Sequence, residues 1–128
     1  MVDKKILIVD DNEDIRTTLD ELLTEHGYAV STAASGDEGI RKASKENPDL
    51  VLLDTAMPGM DGIETCRRIK QVENILTKVI MYTGTIDAID AIRARKFGAD
   101  NYCVKGDDPE FLINAVEEIL DSKFSQKT

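Results

Sequence analysis

The sequence predicts an α/β fold in which a doubly wound, parallel sheet of five strands carries helices on both faces. Five short apolar runs rich in β-branched residues alternate with five segments of helical periodicity. Several of these runs are hydrophobic without interruption, as in parallel strands that are covered on both faces. Strands joined through helices in this order imply right-handed crossovers. The 128 residues suit one domain of this kind.

The apolar runs define the five predicted strands. Each run is short, which is typical of a buried strand rather than a buried helix. In chain order the predicted strands are Ile6–Val9, Tyr28–Ala33, Leu50–Leu53, Val79–Tyr82 and Asn101–Val104.

The first two predicted helices have recognisable ends. The first stops at Gly27, a residue that favours the C-terminal cap. The second begins at Ser35-Gly-Asp-Glu38, which has the spacing of a capping box, and ends near Asn47 because Pro48 follows. The apolar face of the first helix comprises Ile15, Leu19, Leu22 and Leu23.

Three further helices complete the alternation. The third runs from about Gly62 to Lys70, and the fourth from about Ile86 to Phe97, before Gly98. The fifth starts at Asp108-Pro109, a cap residue followed by proline at the first helical position. Its predicted buried face consists of Phe111, Leu112, Ala115, Val116, Ile119 and Leu120.

Composition narrows the classes of function. The net charge of −9 argues against direct binding of nucleic acid, which requires clustered basic residues. Apolar runs fall short of the ~18 residues of a membrane span, and the start "MVDKK" lacks a secretory signal, so we expect a cytoplasmic protein without membrane contact. We expect one domain over residues 1–122 and a polar C-terminal tail over 123–128.

Polar side chains follow four of the predicted strands. Asp10 and Asp11 come after the first strand, Asp54 after the third, Thr83 after the fourth and Lys105 after the fifth. Open parallel sheets bind ligands at the carboxyl ends of their strands, so these side chains are expected to converge at one edge. Individually, the paired aspartates could simply cap the first helix, and the lysine could be a solvated surface charge.

The predicted cluster points to a metal-assisted phosphoryl site. Three neighbouring carboxylates repel one another unless a cation neutralises them, and an all-oxygen site suits Mg2+. With the metal and Lys105 present, the site attracts a phosphoryl group. Asp54 is the candidate nucleophile, because it stands alone at the centre of the sheet and a carboxylate can form an aspartyl-phosphate.

Four segments resemble a known family. The stretches "ILIVDDNED", "PDLVLLDTAMPGMDG", "VIMYTG" and "GADNYCVK" are similar to receiver (response regulator) domains of two-component signalling, of the chemotaxis-regulator type. The resemblance extends from Lys4 to Leu120. It implies a flavodoxin-like fold with strand order 2-1-3-4-5 and phosphoryl transfer to Asp54 from a sensor histidine kinase.

The same resemblance implies the metal ligands. Asp11 and Asp54 would ligate Mg2+ through their side chains, Asp10 mainly through water, and Ala56 through its backbone carbonyl. Alanine at position 56 is shorter than the side chain that many family members carry there, which predicts a short-lived phosphorylated form.

The resemblance also implies a switch. Lys105 would pair with the phosphoryl oxygens, Thr83 would move to bond one of them, and Tyr102 would turn inward as Thr83 is drawn away. The surface that changes is formed by the fourth helix, fifth strand and fifth helix. Gly106 departs from the pattern of most family members, which have proline there after a cis bond; for glycine we expect a trans bond or a rearranged turn.

The resemblance implies a phosphoacceptor regulatory domain rather than an enzyme, although one that assists its own phosphorylation and dephosphorylation. Its expected partners are a sensor histidine kinase and a downstream protein, or a relay that passes the phosphate on, and the domain would be a monomer or a phosphorylation-dependent dimer. Alternatives are the receiver segment of a larger regulator or hybrid kinase, a non-phosphorylated interaction module, and a haloacid-dehalogenase-like phosphatase. That last class requires D-x-D after the first strand, where this chain has D-D.

Overall fold

Among the described residues, five parallel strands form one sheet in the order β2-β1-β3-β4-β5. The computed structural model describes residues 4–55, 57, 59–73, 76–84, 88–106 and 108–120, with the backbone alone for 72–73 and 88–91. The strand order confirms the flavodoxin-like prediction. The strands are β1 Lys5–Val9, β2 Ala29–Ala33, β3 Leu50–Asp54, β4 Lys78–Thr83 and β5 Asn101–Val104.

In the part of the chain that the structure describes, five helices connect or follow the strands. The third continues from Arg68 into a π-helical segment, Ile69–Glu73. The predicted start of the fourth helix at Ile86 and the predicted tail at 123–128 lie outside the described residues. The helices are α1 Glu13–Glu25, α2 Gly36–Glu46, α3 Gly62–Arg68, α4 Ala88–Lys96 and α5 Pro109–Leu120.

The second helix has the ends that its sequence predicts. The Ser35 side chain accepts a hydrogen bond from the Glu38 backbone N–H, and the Glu38 carboxylate accepts one from the Ala34 N–H. These bonds satisfy donors that the first helical turn leaves free. At the other end Asn47 takes a left-handed conformation with φ of 49°, and Pro48 then prevents continuation of the helix.

The sheet divides the apolar interior into two cores. Side chains of successive strand residues point to opposite faces, so each central strand contributes to both cores. Leu53 of β3 lies in the core covered by α2, α3 and α4, whereas Leu52 lies in the core covered by α1 and α5. All five residues of β3 are buried, which makes it the most enclosed strand and fixes the position of its last residue, Asp54.

The prediction for the buried face of α5 is wrong at Phe111, which is 63% exposed. Helix α5 packs beside β5, the last strand of the sheet, and within the described residues no strand lies beyond β5 to cover that side of the helix. Phe111 therefore lines an open surface groove together with Tyr102 and Asn114. Ile113, absent from the predicted face, is buried instead, and Ile119 is partly buried.

Among the described helices, none combines the length and the apolar character needed to cross a lipid bilayer.

The two adjacent residues Phe111 and Leu112 offer a test of this packing. Leu112 is 3% exposed, so Leu112→Ala should lower the free energy of unfolding by about 2–4 kcal/mol through lost burial and a residual cavity. Phe111→Ala should cost less than about 1 kcal/mol, because most of the ring already contacts water. Urea denaturation of both variants measures the difference. Equal losses would contradict the exposed position of Phe111.

Candidate functional site

Asp10 lies directly after β1 and is 2% exposed. Its carboxylate accepts hydrogen bonds from the Asn12 backbone N–H (2.9 Å) and from the Lys105 ammonium (2.8 Å). Its backbone carbonyl accepts a bond from the Arg16 guanidinium at 2.8 Å. The N-cap of α1 is Asn12, whose side chain accepts from the Ile15 N–H. The alternative in which the aspartate pair caps this helix is therefore wrong, and Asp10 faces the sheet edge instead.

Lys105 joins the two buried carboxylates. It follows β5, and its Nζ lies 2.8 Å from Asp10 Oδ2 and 3.2 Å from Asp54 Oδ1. Asp54 ends β3 and is 5% exposed, so most of its hydration has been replaced by protein. Asp10 and Lys105, which are 95 positions apart in the sequence, are in contact because the strands end at the same edge of the sheet.

The ammonium of Lys105 responds to two opposing influences. Burial works against its charge, but the hydrogen bond to Asp10 and the charges of Asp10 and Asp54 outweigh burial, so the pKa of Lys105 is raised above its usual value. Lys105 therefore stays protonated throughout the physiological range and supplies a fixed positive charge to the pocket.

Asp10, Asp11 and Asp54 form an acidic cluster in which one carboxylate oxygen of each lies within 4.8 Å of the others. Two of these side chains are buried and Asp11 is exposed, so the cluster opens to solvent on one side. Carboxylate oxygens at this separation suit a hard divalent cation that keeps part of its water shell. The cluster could hold such an ion. Ala56, the predicted carbonyl ligand, lies outside the described residues.

Thr83 ends β4 and is 7% exposed. Its hydroxyl oxygen accepts a hydrogen bond from the Thr55 hydroxyl at 2.8 Å. Its backbone carbonyl accepts a bond from the Lys105 N–H at 2.6 Å, which ties the β5–α5 connection to the end of β4. Thr83 therefore borders the same edge as the acidic cluster.

Tyr102 lies on β5 and is half-buried. Its ring packs against the core covered by α2, α3 and α4, and the Arg95 guanidinium lies 5.5 Å from the ring centroid. Tyr102 also lines the groove that contains Phe111. The inward rotation expected of this ring stays a prediction.

Gly106 has a backbone conformation that excludes proline. Its φ is +92°, whereas the proline ring fixes φ near −65°. The described residues contain no cis peptide bond, so Lys105 and Gly106 are joined in trans. The glycine at this position thus allows a left-handed turn that still brings Lys105 to both carboxylates.

Two residues of this edge escape the sequence interpretation. A methyl group at Gly62 would lie 1.9 Å from the Asp54 carbonyl oxygen, so only glycine lets the start of α3 approach β3 this closely. The Gly62 N–H donates to the Thr55 carbonyl at 3.1 Å. The glycine in "GMDG" was visible in the sequence, but nothing in its spacing reveals the approach. The hydrogen bond between the Thr55 and Thr83 hydroxyls results from the pairing of β3 with β4. It can be predicted only when the order of the strands in the sheet is known.

The chain is similar to response regulator receiver domains in both sequence and fold. A family model described as the response regulator receiver domain matches residues 6–117. Sporulation initiation phosphotransferase F of Bacillus subtilis is 40% identical over 124 residues, which are 96% of this chain and 98% of that protein. The solved structure of a CheY-like response regulator receiver domain from Methanospirillum hungatei has a TM-score of 0.90 at 32% identity, covering 98% of this chain and 99% of that chain.

Other relatives are longer. The alkaline phosphatase synthesis transcriptional regulatory protein PhoP of Bacillus subtilis is 39% identical over 119 residues, which are 93% of this chain but 49% of that protein. This chain spans about half the length of the first curated relatives that it matches.

The close approach at Gly62 predicts a strong effect of a single methyl group. Gly62→Ala should lower the free energy of unfolding by about 1–3 kcal/mol, because the clash is with backbone atoms that can move only by displacing Asp54. Gly84→Ala is the control, since a methyl group there meets open space among the described residues; it should change stability by no more than about 0.5 kcal/mol. Urea denaturation measures both, and similar values would contradict the close approach.

The raised pKa of Lys105 predicts a pH dependence. In metal-free buffer, Lys105→Met should lower the free energy of unfolding by about 1–3 kcal/mol at neutral pH, because it leaves two buried carboxylates without their cation. The contribution of a lysine with a raised pKa is complete below the usual value of 10.5 and is lost as pH rises through the higher folded value. The difference from wild type should therefore persist to about pH 10 and shrink above it.

Lys4→Met, at an exposed position, is the control for this pH series. A wild-type to Lys105→Met difference that disappears between pH 7 and 9 would contradict the assignment of the stabilisation to the charged ammonium.

Proposed function

This chain belongs to the response regulator receiver domain family, and we propose that it is a phosphorylation-dependent signalling switch that accepts a phosphoryl group on Asp54. The observation that carries the proposal is the position of the Lys105 ammonium between Asp10 and Asp54, beside a third carboxylate from Asp11. A buried nucleophile, a fixed cation and an acidic cluster at one sheet edge are the parts that phosphoryl transfer to a carboxylate needs. The domain that carries them extends over residues 1–122.

The donor is a phosphohistidine of a sensor histidine kinase. An Asp54 carboxylate oxygen attacks phosphorus, the P–N bond breaks, and the leaving imidazole nitrogen keeps the electron pair. The product is an aspartyl-phosphate, so the group is held covalently rather than released by turnover. The domain is therefore a phosphoacceptor rather than an enzyme acting on an external substrate.

Lys105 and Thr83 position the transferred group. The Lys105 Nζ already contacts Asp54 Oδ1 at 3.2 Å, so it can donate to a phosphoryl oxygen carried by that carboxylate. The Thr83 hydroxyl borders the same edge and gains a strong acceptor when the phosphoryl group arrives. Both groups stabilise negative charge where transfer concentrates it.

The acidic cluster suits Mg2+. Asp11 and Asp54 would hold the ion through their side chains and Asp10 through water, with the Ala56 carbonyl completing the protein ligands. When bound, Mg2+ supplies positive charge that neutralises the carboxylates and the phosphoryl oxygens. Lys105 remains the cation provided by the chain itself.

The output surface is the face formed by α4, β5 and α5. Its groove has a volume of about 450 Å³ and contains Tyr102 and the exposed ring of Phe111. Movement of Thr83 would draw Tyr102 inward and change this face, which would then bind a downstream protein or a second copy of the domain. The domain acts by itself or within a longer regulator, and relay of the phosphate onward is an alternative output.

Two rival functions are less well supported. A haloacid-dehalogenase-like phosphatase would carry its nucleophile after β1 in a D-x-D motif, whereas this chain has D-D there and the fully buried central strand β3 ends in Asp54. A non-phosphorylated interaction module would not require a buried carboxylate pair bridged by an ammonium, an arrangement that costs stability.

Phosphorylation predicts a definite labelling pattern. Incubation of the protein with acetyl phosphate and Mg2+ should add the mass of one phosphoryl group, detected by intact mass spectrometry, and Asp54→Asn should abolish the addition because an amide is not a nucleophile here. Lys105→Met should reduce labelling at least tenfold, since it removes the cation that stabilises the transferring group.

Asp37→Asn is the matched control, because Asp37 is exposed at the first turn of α2 and does not belong to the cluster of Asp10, Asp11 and Asp54. It should label like wild type, and omission of Mg2+ should suppress labelling of both. Catalytic release of phosphate from many donor molecules without a labelled protein would favour the phosphatase. Labelling that survives in Asp54→Asn would overturn the assignment of the acceptor.

A further inference from the structure

The hydroxyl–hydroxyl contact between Thr55 and Thr83 lies at the centre of the sheet edge. Thr55 follows the nucleophile Asp54 directly, and Asp54 is paired with Tyr82 in the register of β3 and β4. Continuation of this register brings Thr55 beside Thr83, and the Thr55 Oγ1 donates to the Thr83 Oγ1 at 2.8 Å. The contact therefore joins the residue after the phosphoacceptor to the residue proposed to respond to phosphorylation.

Thr55 is held from a second side, which makes it a firm donor. Its carbonyl accepts from the Gly62 N–H at 3.1 Å, at the tightly packed start of α3. Thr83 ends its strand and is 7% exposed, so its hydroxyl loses a partly buried hydrogen bond when it moves. Movement of Thr83 towards a phosphoryl oxygen therefore has to break a bond to an anchored partner.

We propose that Thr55 is a positioning residue that holds Thr83 in its unphosphorylated position and so sets the resting bias of the switch. This inference rests on the proposed function, because it assumes that Thr83 moves to a phosphoryl group on Asp54. Thr55 opposes the move through a hydrogen bond that exists only in the resting state. Removal of the Thr55 hydroxyl weakens that state alone and leaves the phosphoryl contacts of Thr83 intact.

The size of the effect follows from the net strength of one hydrogen bond. Loss of the Thr55 hydroxyl should shift the equilibrium towards the phosphorylated arrangement by roughly 3- to 10-fold. The same factor should appear in the affinity for beryllofluoride, an acyl-phosphate mimic that binds the phosphorylated arrangement. The apparent affinity of such a ligand increases by the factor by which the competing resting arrangement is destabilised.

The test is a double-mutant cycle read out by calorimetric titration of beryllofluoride in the presence of Mg2+. Thr55→Val, which has the shape of threonine without the hydroxyl, should lower the apparent Kd by roughly 3- to 10-fold. Thr55→Ser, which keeps the hydroxyl, should stay within about twofold of wild type. In a Thr83→Ala background, Thr55→Val should change the Kd by less than about twofold, because nothing remains to be held.

A second readout is independent of the ligand. In unliganded Thr55→Val, the NMR methyl resonance of Thr83 should move part of the way towards its position in the beryllofluoride complex, which a purely structural role of Thr55 would not produce. Thr55→Ala replaces Thr55→Val if circular dichroism shows that the valine variant is unfolded.

The outcomes separate the inference from the proposed function. If wild type binds beryllofluoride but Thr55→Val binds equally or more weakly, or shows the same gain in the Thr83→Ala background, the role of Thr55 is overturned and the phosphoacceptor function stands. If wild type neither binds beryllofluoride nor becomes labelled by acetyl phosphate, the proposed function fails and the inference fails with it.

Discussion

The Lys105 ammonium lies between two buried carboxylates, and the character of the whole sheet edge depends on this contact. Asp10 and Asp54 would repel each other in a medium of low polarity, and the ammonium offsets that repulsion. It supplies one positive charge, however, and Asp11 adds a third carboxylate to the cluster. Among the described residues the cluster therefore keeps an excess of negative charge. This excess favours a divalent cation, and with such a cation bound the edge would attract a phosphoryl group rather than repel it.

Such an arrangement costs stability that other parts of the fold must offset. Buried ion pairs rarely stabilise a protein compared with apolar residues of the same size. Here Asp54, the proposed phosphoacceptor, ends the most enclosed strand, with an apolar core on each face of the sheet. The cores fix the backbone of β3, and the glycine at position 62 lets α3 approach it closely. The rigid support thus belongs to the strand that carries Asp54, while the other charged residues of the cluster follow β1 and β5.

The sequence predicted the fold well because its signals are local. Alternating apolar runs identified the strands, and Ser35 and Asn47 marked the ends of α2, since caps depend on a few neighbouring residues. Phe111 was misplaced because helical periodicity defines an apolar stripe but not which part of it the sheet covers. Because the carboxyl ends of parallel strands meet at one edge of the sheet, the sequence also predicted that the carboxylates lie close to Lys105, and they do. The Thr55–Thr83 contact could not be predicted, because it requires the register of two strands that are distant in sequence.

The free energy of the Thr83 hydrogen bonds limits how much of the proposed switch this residue can perform alone. A neutral hydroxyl bond contributes about 1 kcal/mol, and a bond to a charged phosphoryl oxygen about 1.5–3 kcal/mol. When Thr83 exchanges its hydrogen bond with Thr55 for one with a phosphoryl oxygen, it therefore gains about 0.5–2 kcal/mol. A complete reversal of the equilibrium between the resting and phosphorylated arrangements, from 1:99 to 99:1, needs about 5.5 kcal/mol. Thr83 can bias the equilibrium but cannot reverse it. The remaining free energy must come from other contacts of the phosphorylated state, among them those of a partner that binds the altered α4, β5 and α5 face more tightly than the resting one.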